Sequence, residues 1–118
     1  MIMLSDYKKV SEIPGELILL DLTQVSLWGF QGAVSKDNFQ KILECITNKE
    51  ILPPVNICRF SASQYFLTNL VDDATMHLDG GHTRSYAHYI AKMPLLCREV
   101  DFRHSARGSI NIRDIIIQ

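Results

Sequence analysis

The run Gly80-Gly81-His82-Thr83-Arg84 is the stretch of this chain best equipped for chemistry. Two glycines permit positive φ and let a backbone come close to a ligand. A helix starting at His82 would aim its free first-turn N–H groups, and the positive end of its dipole, into one small space. Such a turn receives anions, and Arg84 offers a planar, two-pronged donor to phosphate or carboxylate. In an empty turn the bases are misplaced, because a helix N-terminus favours Asp or Glu. A bound phosphate would reverse that sign. A purely structural reading stands beside it: Arg84 pairs with Asp72, Asp73 or Asp79, and His82 caps the helix or fills a polar pocket.

Other chemistry-bearing groups carry less. His77, Asp79 and His82 spell H-x-D-x-x-H, but no fourth ligand is evident and no metal site is expected. There is no G-x-S-x-G elbow, so a Ser/His/Asp hydrolase is not expected either. Cys45, Cys58 and Cys97 are scattered among apolar neighbours, which reads as reduced, buried thiols. Trp28 and Phe30 in SLWGFQG form either a core plug or a substrate-facing loop. Arg98, Arg103, Arg107 and Arg113 alternate with Glu99, Asp101 and Asp114, the pattern of a solvated, salt-bridged face. DNA is the weaker alternative for that face.

These groups must be positioned by a small frame. The chain has 118 residues and a formal net charge of −1, enough for one domain and no global pull on nucleic acid. No apolar run approaches the roughly 18 residues of a membrane span, and the start lacks a basic-then-apolar leader, so a cytoplasmic protein without membrane contact is expected. Glu16–Leu22 reads as a strand. Ser35 caps a helix over Lys36–Thr47, whose Phe39, Ile42, Leu43 and Ile46 recur at helical spacing. Pro53 and Pro54 end that segment, and Val55–Phe60 forms a hairpin with QYFLTNLV. Ala74–Asp79 supplies a third short strand, then a helix runs from His82 to about Lys92, and Leu95–Phe102 returns as a strand. The apolar tail over 109–117 adds an edge strand or pairs with a second copy as a homodimer. Helices interspersed with hairpins predict an α+β fold: a single domain over 1–118, its core at 16–103, with a mixed β-sheet and two main helices.

From Leu17 to Phe102 the chain resembles the ParB N-terminal/sulfiredoxin superfamily. The resemblance rests on an early strand, a helix like DNFQKILECI, the segment LPPVNI, then G-x-x-R at Gly81–Arg84 with Ala87 following, and a strand like PLLCREV. The nearest variant is a D-G-H-T-R-A motif of bacterial ParB-like proteins, with Gly80 where Asp is usual and Asp79 displaced by one place. The resemblance implies a ParB/sulfiredoxin-like fold whose Gly80, Gly81, His82, Thr83 and Arg84 hold nucleotide phosphates, with Arg84 as the charged clamp. It also implies that the polar side of the first helix, with Asn38, Lys41 and Cys45, faces the nucleotide, Lys41 being the second cation, and that the SLWGFQG loop lies beside the turn with Gln31 and Ser35 toward the ligand. The implied ligand is CTP, ATP or ADP with Mg²⁺, or a small phosphate. Phosphotransfer or nucleotide hydrolysis would further need an acid/base or Mg²⁺ carboxylate, for which Asp79, Glu16 and Asp21 are candidates.

The departures narrow this. His82 stands where sulfiredoxins carry their reactive Cys, and Thr83 where ParB proteins carry a second Arg. Peroxiredoxin repair is therefore not expected. Little chain follows Phe102 for a helical DNA-reading domain, so partition by this chain alone is not expected either. A non-catalytic protein- or DNA-interaction module on the same fold is the alternative function.

Overall fold

A computed structural model describes residues 15–50, 52–68, 70 and 81–118. The expected strand Ala74–Asp79, with His77, Asp79 and Gly80, and the carboxylates Asp72 and Asp73 lie outside the described residues. Among the described residues the chain runs β1 (Glu16–Leu20), β2 (Ser26–Gly29), β3 (Ala33–Val34), α1 (Lys36–Thr47), β4 (Val55–Ser61) and β5 (Gln64–Leu67), then α2 (His82–Ala91), β6 (Leu95–Glu99), β7 (Ile110–Asn111) and β8 (Ile116–Ile117). This is an α+β domain with two helices and a mixed sheet, as the pattern of helices and hairpins predicts. No helix among the described residues is long and apolar enough to cross a membrane.

Among the described residues, six strands form the main sheet in the order β1-β6-β4-β5-β2-β7. The β4–β5 hairpin is antiparallel, while β4 with β6 and β2 with β5 are parallel. Strand alternation turns Val55 and Ile57 of β4 toward the helices, where they share a core with Leu27, Leu67, Phe39 and Ala87. α1 matches its expected bounds for the expected reasons: the Ser35 side chain accepts from Asn38 N–H, Asp37 sits in the first turn, and Phe39 and Ile42 are buried. Its Phe39 ring meets Tyr86 of α2 at 5.6 Å, which docks the two helices on one side of the sheet.

The aromatic stretch SLWGFQG divides: Ser26–Gly29 is strand β2, with Leu27 fully buried and Trp28 Nε1–H donating to Gln64 Oε1 at 2.6 Å. The tail also differs from one continuous strand. Asn111 Oδ1 accepts from Arg113 N–H and starts a 3-10 turn over Ile112–Asp114, so β7 and β8 are separate. Ile112 and Ile115 are buried, and β8 pairs in parallel with β3 of the same chain. The tail supplies short strands within the chain, while Ile116 and Ile117 keep exposed side chains.

The basic C-terminal face does not survive as a unit. Arg98 is buried, and Arg113 donates to the carbonyls of Leu22 and Val25 while stacking over Tyr89. Of that set, Arg103 and Arg107 are the exposed ones.

Candidate functional site

α2 starts where the sequence places it, and its first turn is buried. Gly81 is the N-cap with φ 103°, in the left-handed region, and no side chain caps the helix or brings an acid to its first turn. Ser85 Oγ donates back to the Gly81 carbonyl at 2.6 Å. His82, Thr83 and Arg84 are 0%, 1% and 2% exposed, so nothing charged in this turn meets water in the arrangement observed.

Each of these side chains reaches a different loop. His82 Nε2 accepts the N–H groups of Phe30 at 3.0 Å and of Gln31 at 3.2 Å, and the Phe30 ring meets the imidazole edge-on at 4.4 Å. A nitrogen that accepts two N–H bonds is unprotonated, so the ring is neutral with its proton on Nδ1. The fit is close because β2 ends in glycine: a Cβ at Gly29 would lie 2.6 Å from His82 Nε2. Arg84 donates from Nη1 to the carbonyls of Pro53 at 2.5 Å and Pro54 at 3.2 Å, where the chain enters β4. Gly81, in turn, lies against the Val55 side chain. The turn therefore joins the loop after β2, the start of β4 and α2 at one buried point.

The other expected site residues are dispersed. Lys41 is exposed, and at two residues from Phe39 it stands ~200° around α1 from the ring that touches α2. Asn38 and Cys45 are half-buried on the same helix. Gln31 meets the turn through its backbone N–H, and Ser35 is occupied by its capping role. Asp21 accepts from Thr23 N–H and Oγ1–H, and the hydroxyl bond foremost holds its carboxyl below the usual range, unlike a general base with a raised pKa. Glu16 is exposed at the far edge of the sheet, in register with Glu99. Asp79 and Gly80 lie outside the described residues, and with them two of the three groups of H-x-D-x-x-H. Among the described residues no group of three or more His, Cys, Asp or Glu side chains could hold a metal ion.

The thiols fit the reading of small buried side chains for Cys58 and Cys97, while Cys45 is half-buried. Burial pushes the Cys58 thiol up to about 11 and Cys97 further, and a hydrogen bond with Glu50 pushes Cys45 up to about 11. A nucleophilic Cys needs the opposite shift.

His88, one helical turn below Arg84, donates Nδ1–H to the Arg84 carbonyl at 2.6 Å. Burial lowers its pKa from 6.5, with the Arg84 charge acting the same way and the carbonyl bond opposing. The folded state therefore prefers the neutral ring, while the unfolded chain takes up a proton below about 6.5. His88 contributes stability in full above that pH and loses it as pH falls through the depressed folded value. Denaturation midpoints measured from pH 8 down to 5 are expected to fall, and to fall less in His88→Asn, which keeps a donor near Nδ1. An unchanged pH slope in His88→Asn would remove His88 as the cause.

Two features were not foreseen from sequence: the backbone groups that hold His82 and Arg84, and the ring cluster of Phe60, Phe66 and Phe102 on the sheet. Main-chain acceptors leave no residue-type signature. The rings had one, since the expected hairpin sets VNICRF beside QYFL. Compared with known proteins, the chain matches no family model, no curated protein and no solved structure.

Proposed function

We propose that this chain is a non-catalytic binding module on a ParB/sulfiredoxin-like fold, in which the Gly81–Arg84 turn holds the domain together. The observation that carries this reading is the engagement of Arg84 Nη1 by two main-chain carbonyls and of His82 Nε2 by two main-chain amides. In the arrangement observed, a phosphate that took Arg84 Nη1 as its donor would displace the Pro53 and Pro54 carbonyls. Hydrogen bonds from a charged donor contribute about 1.5–3 kcal/mol each, so giving up two costs about 3–6 kcal/mol. That would weaken a ligand's apparent affinity by roughly two to four orders of magnitude. On this reading the turn is structural and carries no transfer step.

The nucleotide-binding reading is the second one, and one observation favours it. The first turn of α2 has neither an acidic side chain nor a side-chain cap, which leaves its dipole without a negative partner from that turn. Calorimetric titration of CTP, ATP and ADP, each with Mg²⁺, separates the two. We expect no saturable heat and no rise in melting temperature. Saturable binding of any of the three, with a concentration-dependent rise in melting temperature, would replace the module reading with the nucleotide reading.

A further inference from the structure

We infer that the sheet face around Phe60 binds single-stranded nucleic acid by stacking bases on its aromatic rings; this names the partner of the module proposed above and rests on that reading. The face is built from three segments distant in sequence. The hairpin register sets Cys58 opposite Phe66, and β2 sets Trp28 beside Phe66, so Trp28 and Phe66 share one side of the sheet. The register slips between Arg59 and Ser61, which makes Phe60 the extra residue of a bulge. Bulges re-aim side chains, and this one brings the Phe60 ring to 5.7 Å from Phe66. Phe102, from the 3-10 turn after β6, closes the triangle at 6.1 Å from each.

Phe60 is 65% exposed, the most exposed of the large apolar side chains among the described residues. A lone exposed Phe is ordinary, but one standing on two further rings with an indole alongside is a platform. Its rim is basic. The Arg107 guanidinium lies 5.8 Å from the Phe102 centroid, and Arg103 extends from the same turn. The nearby acids are partly engaged: Glu99 pairs with Arg59 at 2.8 Å, and Asp101 accepts from Arg103 N–H. Rings for base faces and arginines for the intervening phosphates are the chemistry of single-strand recognition on a sheet.

A duplex fits less well. It hides its base faces and asks for a broad basic surface, yet Arg98 is buried and Arg113 is bound to main-chain carbonyls. A second copy docking on this face is the other occupant, and the sedimentation outcome decides for or against it.

The test is fluorescence anisotropy at low salt with labelled oligo(dT) and oligo(U) of about ten nucleotides, and a duplex of the same length. Saturable binding to both single strands is expected, with the duplex clearly weaker. Phe60→Ala is expected to weaken single-strand binding about fivefold to about a hundredfold with the circular dichroism spectrum unchanged. Arg107→Gln should reduce the salt slope by about one. No saturable binding, equal affinity for the duplex, or an unaltered affinity in Phe60→Ala would each overturn the inference. So would a dimer that sedimentation shows to be dispersed by Phe60→Ala without any single-strand binding. None of these failures touches the mononucleotide titration, which decides the module reading separately.

Discussion

Arg84→Ala is expected to cost the domain about 3–5 kcal/mol, lowering its melting temperature by on the order of 10–20 °C. Arg84 is the largest of the fully buried side chains among the described residues. Its removal leaves a cavity and strips a charged donor from the Pro53 and Pro54 carbonyls, which bring the chain into the central strand β4. Arg84→Lys should lie between the two, because an ammonium is a point donor that does not span both carbonyls as the guanidinium does. A phosphate clamp predicts the reverse order of effects. Removing a cation from the positive end of a helix would leave stability unchanged or raise it, and only ligand binding would fall. Chemical denaturation of the three proteins separates these outcomes: an Arg84→Ala midpoint equal to wild type would remove the structural role.

The contrast between α1 and the turn before α2 explains what the sequence could carry. α1 was legible to the residue because its determinants are local: a Ser35 cap, an acid in the first turn and apolar side chains at helical spacing. The mixed sheet followed from hairpins interrupted by helices. β2 was less legible, since its buried Leu27 lies between a half-buried Ser26 and Trp28 in a stretch rich in glycine. The tail was misjudged in continuity because one side-chain cap at Asn111 turned an apolar run into two short strands. At the candidate site, the residues that the sequence marks as exceptional are buried together at the helix start. His82, Thr83 and Arg84 do conflict with local preference at a helix start. What the sequence left open was the agent that resolves the conflict. Carbonyls of Pro53 and Pro54 and amides of Phe30 and Gln31 resolve part of it, and such main-chain groups are the same whatever the residue type.

Gly81→Ala carries the second large effect, and it distinguishes a glycine kept for a ligand from one kept for packing. At φ 103° an L-residue is strained by roughly 1–2 kcal/mol, and the new methyl would lie 2.7 Å from Val55 Cγ1. Val55 is fully buried in the central strand, so it has little room to yield, and overpacking adds about 1–3 kcal/mol. The expected total is about 2–5 kcal/mol. Val55→Ala alone costs stability through the cavity it opens. Combined with Gly81→Ala, it gives the methyl that space, so the double variant should be about 1–2 kcal/mol more stable than the sum of the single losses. The strain at φ 103° persists in both backgrounds, so the rescue is partial. An additive cycle would mean that Val55 does not dictate glycine at this position. Coupling of the expected sign would make the close approach that Gly81 permits an approach to the domain's own core, the same role that Arg84 and His82 have on the other sides of the turn.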